Sequence, residues 1–199
     1  EILSGVQTGA DKLFLGKTDA SSDDLFTVVN FKTESTKIEK SQVTPFLLGR
    51  QVRKWSIDYG ERVAVFPYFR KEGSYYLPSE SELKTSAPRL FDYLSKKKPE
   101  LSKRLWYGQS AEELHDAWFA YMYFKTEYNR NKLIVTPALI NKVRFAPAEK
   151  EVLFTLGTAG VFGVAPKKDY YFILGLLNSK LINFAIKRLA PEKRGGYFQ

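Results

Sequence analysis

The chain has 199 residues, no cysteine, a single histidine and a formal net charge of +9, with 44% hydrophobic and 27% charged residues. This excludes disulfides, thiolate catalysis, Cys-ligated zinc and His-rich metal sites, and it fits a globular chain long enough to bury a core. No apolar run approaches the ~20 residues of a membrane span, no signal peptide opens the chain, and the lack of cysteine points to a reducing, cytoplasmic setting.

In chain order, Gly5-Val6-Gln7-Thr8-Gly9 reads as a turn and Leu13-Phe14-Leu15 as a short strand. Phe26 to Phe31 and Arg62 to Tyr68 are β-branched and aromatic, which predicts two further strands, the second ended by Pro67. Tyr75-Tyr76-Leu77 extends the strands beyond a turn at Gly73. Helical signals begin near Ser79. Ser86 is placed to cap a helix with Pro88 in its first turn, Leu90 and Leu94 on one face and Lys96, Lys97 and Lys98 at its end. Pro99 then starts a helix containing Leu101 and Leu105, and Ser110-Ala111-Glu112-Glu113 is a capping-box pattern for a helix toward Ala120. The aromatic stretch Trp118 to Tyr128 fits helix or strand.

Leu133 to Thr136 is a strand, and Lys142 to Ala146 and Val152 to Leu156 read as two more. Helices follow over Asp169 to Asn178 and over Ser179 to Leu189, the second capped by Ser179. Leu47, Leu133, Ile134, Val135, Leu174, Leu177, Leu181 and Phe184 are expected in the core. The order of strands, helices, strands and helices predicts an α+β fold: a mixed, largely antiparallel curved sheet with helices near 86–120 and 169–189.

The charge is unevenly placed. Residues 1–30 carry two lysines against five acids, whereas residues 84–104 carry seven Lys or Arg against two acids, and residues 180–199 five against one. Basic patches attract a polyanion by releasing its counterions, so a nucleic-acid partner is expected.

Catalytic templates fit poorly. Gly157 to Gly163 is glycine-rich but lacks the Gly-Lys-Ser/Thr ending of a phosphate loop. Asp58 with Glu82 and Lys84 loosely matches the acid and Glu-x-Lys pair of Mg²⁺-dependent nucleases, yet Glu82 and Lys84 fall in a helix start. Glu112 and Glu113 face different directions, and His115 beside Trp118 reads as half-buried or surface rather than as a base. The chain has no Pro-Pro, so it lacks the Asn/Asp-Pro-Pro-Tyr/Phe motif of amino-methyltransferases.

Several stretches occur in a telling order: Gly5-Val6-Gln7-Thr8-Gly9, Pro45 to Trp55 (Pro-Phe-Leu-Leu-Gly-Arg-Gln-Val-Arg-Lys-Trp), Val65-Phe66-Pro67-Tyr68, Leu105-Trp106-Tyr107, Lys132 to Pro137, Arg144-Phe145, Leu174 to Phe184 with Leu-Leu-Asn-Ser-Lys, and Arg194 to Phe198. The series resembles the C-terminal specificity domain of Taq-type N6-adenine DNA methyltransferases and the target-recognition domain of type IIG restriction–modification enzymes. Type I specificity subunits and phage-exclusion methyltransferases look related. Ser110 to Arg130 departs from the pattern, as a specificity-determining segment or a structural insertion. The missing initiator Met and the strand-like close at Gly196-Tyr197-Phe198-Gln199 fit a piece of a longer polypeptide.

The resemblance implies a reader of double-stranded DNA that is not itself an enzyme and has no catalytic residue, cofactor or metal of its own. An upstream methyltransferase module of the same chain would bind S-adenosylmethionine and flip the target adenine, and an accompanying nuclease module would use Mg²⁺. Expected DNA-backbone contacts are Thr8, Gly9, Lys12, Arg50, Arg53, Lys54, Arg194, Gly195, Gly196 and Tyr197, with Gly49 allowing close approach. Candidate base readers are Arg70, Lys71, Asn129, Arg130 and Asn131, on turn-like stretches. A single-strand DNA or RNA binder that stacks bases on its aromatics is the alternative, with the Asp58, Glu82, Lys84 nuclease behind it.

Overall fold

A computed structural model describes residues 1–18, 24–125, 132–155, 159–193 and 196–198. The chain forms two compact units: Val6–Phe46 with Glu61–Asn129, and Glu1–Gly5 with Leu47–Gly60 and Arg130–Gln199. Strand pairings between the named strands in both units are antiparallel, and helices accompany them, which makes the fold α+β.

In the unit built around Val6–Phe46, the strands Val43–Leu47, Arg62–Val65, Leu15–Thr18, Phe26–Asn30 and Ser35–Glu39 lie side by side in that order. Leu13-Phe14 is not a strand. The short helix Asp11–Phe14 precedes the strand Leu15–Thr18 and buries both residues. Its start is set by Thr8, whose hydroxyl donates to Asp11 Oδ1 at 2.5 Å and accepts from the Ala10 amide at 3.1 Å.

The helices Glu80–Ser86, Pro88–Lys96 and Lys98–Leu101 follow the strands of this unit. Ser86 ends the first of them rather than capping the second, and Ala87 stands between the two. The second is capped from a distance: the Glu39 carboxylate accepts from the Arg89 and Leu90 amides at 2.9 and 3.0 Å. Leu105 belongs to the short strand Leu105–Trp106, not to a helix.

The capping box at Ser110 forms as expected, but its helix runs only over Ala111–His115 and ends on Asp116 in the left-handed region at φ 55°. Among the described residues of the aromatic stretch beyond it, Trp118 to Lys125, there is neither helix nor regular strand. Trp118 to Met122 are buried, and Tyr121 packs edge-on against Phe14 and donates its hydroxyl to the Val65 carbonyl at 2.5 Å. Side chains satisfy this irregular backbone: the Tyr68 hydroxyl accepts from the Tyr121 amide and Arg104 donates to the Trp118 carbonyl. Within the described part of Ser110 to Arg130, Ala117 to Met122 are thus core.

In the other unit, Ile2–Leu3, Val161–Val164, Leu133–Pro137 and Ala146–Ala148 form a four-stranded sheet in that order. The helices Tyr170–Leu177 and Lys180–Leu189 pack on it through Leu174, Leu177, Ile182 and Ile186 around Ile134, Val143 and Phe145. Ser179 caps the second helix, accepting from the Ile182 amide at 3.1 Å. Leu181 and Phe184 are not core, at 67% and 59% exposure.

Residues 142–145 are not a strand. Asn178 supplies what a neighbouring strand would: its Oδ1 accepts from the Phe145 amide at 3.0 Å and its Nδ2 donates to the Phe145 carbonyl at 2.9 Å. Asn183 Oδ1 accepts from the Val143 amide at 3.1 Å.

Candidate nucleic-acid interface

The Leu48 to Asp58 segment is a tightly braced turn. Gly49–Gln51 forms a 3-10 turn, and the Gly49 amide donates to the Ala159 carbonyl at 2.8 Å. A Cβ at Gly49 would meet the Gly160 carbonyl oxygen at 2.8 Å, so this glycine serves the chain's own packing. The Gln51 side chain accepts from the Leu48 amide and donates to the Asp58 carbonyl, while Val52 bridges Ile57. The Arg53 amide donates to the Ser56 carbonyl at 2.9 Å, which puts Lys54 and Trp55 at the tip.

Trp55 adopts φ 74°, a left-handed conformation unfavourable for a large side chain. Its amide donates to the Phe145 carbonyl at 3.0 Å, the same oxygen that Asn178 engages. The bracing thus holds a costly backbone in place, and its result is a Trp ring 49% exposed with the Lys54 ammonium 5.6 Å from its centre. Arg50, Arg53 and Lys54 are exposed beside it. An aromatic face among cations can pack on a base or sugar while the cations meet phosphates.

The other unit carries a two-stranded ribbon, Phe69–Lys71 paired with Ser74–Tyr76. Glu72 and Gly73 at its tip take φ 51° and 86°, the paired positive values of a tight hairpin turn. Arg70 and Lys71 are exposed on it. A two-stranded ribbon is one of the shapes the major groove of duplex DNA admits.

The remaining expected contacts are dispersed. Thr8 is 2% exposed, its hydroxyl engaged with Asp11 and its carbonyl with Arg104, so its side chain holds the unit together rather than facing a ligand. Gly9, at φ 70°, packs so closely on Met122 that no Cβ fits. Lys12 is exposed and paired with Glu100 at 2.5 Å. Gly196, at φ 73°, leads into the strand Tyr197–Phe198, which pairs with Glu192–Lys193, and Tyr197 is partly exposed. Arg194, Gly195, Asn129, Arg130 and Asn131 lie outside the described residues.

The nuclease arrangement does not assemble around Glu82. Its carboxylate accepts from the Tyr76 hydroxyl at 2.6 Å and its amide donates to Ser79 Oγ, so it is part of a helix start. Lys84 lies over the Phe91 ring, and Asp58 belongs to the other unit. Among the described residues no group of three or more His, Asp or Glu could hold a metal ion. At Gly163 in the glycine-rich stretch, a Cβ would meet the Phe154 ring at 2.8 Å, so the space beside it is already filled by protein.

The segment holding the braced turn and the ribbon matches a known family, the TaqI-like C-terminal specificity domain, over residues 44–199. The chain belongs to that family. No curated protein matches the chain. Membership gives this TaqI-like specificity domain a role in DNA recognition within restriction–modification enzymes. The Arg50–Trp55 turn and the Phe69–Tyr76 ribbon lie inside the matched segment, and Lys12 lies before it. Among the described residues no helix is long and apolar enough to cross a membrane.

Sequence reasoning missed two features. Trp55 stands out in the sequence only as part of a motif, because nothing local announces that its amide is held by the Phe145 carbonyl. Lys17, Lys32 and Arg62 carry no local signal, because only the fold brings them to one groove with Lys12.

Proposed function

We propose that residues 1–199 act as one target-recognition domain that reads a specific sequence in double-stranded DNA. It presents the target adenine to an upstream methyltransferase module of the same, longer chain. S-adenosylmethionine belongs to that module in this reading, and no residue described above is assigned to it. Whether the enzyme is of type IIG, with a Mg²⁺-dependent nuclease module as well, is a further part of the proposal. The observation that carries the reading is the braced turn, which spends backbone strain on exposing Trp55 with the Lys54 ammonium over its ring and Arg50 and Arg53 exposed on the same turn, inside the segment that matches a specificity family.

Roles divide by chemistry. Arg50, Arg53 and Lys54 neutralise phosphates, and Trp55 packs on a base or sugar. Gly196 and Tyr197, with Arg194 and Gly195, join them as backbone contacts. Arg70 and Lys71 on the ribbon, with Asn129, Arg130 and Asn131, read base edges.

Fluorescence anisotropy on a randomised duplex pool, followed by sequencing of the bound fraction, tests this. Arg50→Ala and Lys54→Ala should weaken binding alike on all sequences, each reducing the slope of log K against log salt by about 1. Lys71→Ala should instead change which sequence is enriched. A single strand that outcompetes duplex at equal salt would replace this reading with the stacking alternative. Binding with no sequence preference would remove the recognition role.

A further inference from the structure

A groove in the unit built around Val6–Phe46 is lined by Lys12, Lys17, Asn30, Lys32 and Arg62, with Asp11 as its carboxylate. Lys17 is the direct cross-strand partner of Asn30 on one side and of Arg62 on the other. Directly opposed residues of antiparallel strands project from the same face, so the three polar side chains form a row across the sheet. Lys12 comes from the short helix at one side, and Lys32 from just beyond the strand that holds Asn30.

The electrostatics of this row are unbalanced. Asp11, the acid of the lining, already accepts from the Thr8 hydroxyl. Lys17, Lys32 and Arg62 form no ion pair among the described residues. The Lys12–Glu100 pair has both side chains largely in water, where such a pair is worth little and can be exchanged for another anion. Asn30 Oδ1 accepts from the Ser35 hydroxyl at 2.6 Å, which leaves its Nδ2, the donor end, without a partner among the described residues. Four cations and an amide donor thus share one open groove with a single carboxylate in its lining, an excess of donors over acceptors.

We infer that this groove is a second phosphate-contact site and takes the phosphodiester backbone of the duplex. The inference rests on the duplex-binding reading above, but on none of the residues that carry it. Lys12, Lys17, Asn30 and Lys32 precede the segment that matches the family. They also lie within or beside a stretch of net negative charge, so the folding of strands and helix, and not local composition, makes the site basic.

The test compares the chain with the triple variant Lys17→Ala, Lys32→Ala, Arg62→Ala in duplex binding across a salt series. A control triple removes the same charge at the exposed residues Lys103, Lys167 and Lys168. The groove variant should reduce the salt slope by about 2 to 3, lower affinity at least tenfold at 0.1 M salt and keep the preferred sequence. Lys17→Arg with Lys32→Arg should bind as the unmodified chain does, which separates lost charge from lost fold. Groove and control triples that fall equally, or a groove triple with unchanged affinity and slope, overturn the inference while leaving the functional reading intact. An unmodified chain that does not bind duplex overturns both.

Discussion

Asn178 does with one side chain what the sequence pattern assigned to a strand. Its amide meets both the N–H and the C=O of Phe145, a two-bond exchange of the kind that opposed strand residues make. The alternation from Lys142 to Ala146 is compatible with a strand, and nothing local says that a distant amide has taken the partner's place. The same fact explains part of the Leu-Leu-Asn-Ser-Lys motif physically: Asn178 ties the segment before the strand Ala146–Ala148 to the end of a helix, and Ser179 caps the next helix. Asn178→Ala strands a buried N–H, so it should lower unfolding free energy by about 1–3 kcal/mol. Asn178→Asp keeps the acceptor but sets a buried carboxylate oxygen against the Phe145 carbonyl, and should cost at least as much. Urea denaturation checks this, and an Ala variant as stable as the parent would show that water replaces the amide.

Among the elements, the helix Pro88–Lys96 shows what was legible and what was not. Pro88 in its first turn is where the sequence places it. The cap is not Ser86, because the preceding helix runs through Ser86 and only Ala87 separates the two, so no cap side chain is available between them. Glu39 supplies the missing acceptor and adds a negative charge at the positive end of the helix. Glu39→Ala should therefore destabilise the protein by roughly 2 kcal/mol, and Glu39→Gln by less, since one acceptor oxygen remains. A thermal midpoint unchanged in Glu39→Ala would mean the first-turn amides find solvent instead.

The last helix pair gives the opposite lesson. Its bounds and its Ser179 cap match the sequence, yet its buried face does not. Leu181 and Phe184 at i, i+3 compete with Ile182 and Ile186 at i, i+4, and both stripes suit a helix. The sheet below selects the second, leaving Tyr171, Phe172, Leu181 and Phe184 exposed. Periodicity finds a helix, but only the surface beneath it decides which stripe turns inward.

For the molecule as a whole, alkaline pH is the predicted weakness. Burial pushes the Tyr170 phenol up to about 12 from an ordinary 10, and it raises those of Tyr68 and Tyr93 as well. A phenol whose folded value lies above its unfolded one stabilises fully below pH 10, and that contribution is lost as the pH rises through the folded value. The urea midpoint should hold between pH 8 and 9.5 and fall from pH 10 to 12, with a tyrosinate absorbance rise tracking the fall. A tyrosinate signal that develops while the midpoint stays flat would show that these rings ionise without unfolding.

At this scale the α+β class, the antiparallel pairing and the family were legible, because order and composition carry them. The proposed interface was legible only in part. Arg50, Arg53 and Lys54 are local neighbours of a recognisable turn, whereas the groove cations come from two strands, a helix and the residue run after a third strand, whose adjacency no local pattern encodes. Thr8 is ambiguous for a related reason, since a turn residue suits a ligand or a core equally until its packing partner is known.

The family boundary at Thr44 cuts through the strand Val43–Leu47, and this has a consequence for how the domain can be inherited or trimmed. A piece that began there would drop three strands of the unit and leave Arg62–Val65 without its Leu15–Thr18 neighbour. It would also take Glu39 from the helix it caps. The bare strand would offer its backbone to other chains. The first 43 residues, though less recognisable, are therefore no optional leader: where recognisable ancestry stops, the hydrogen bonds continue.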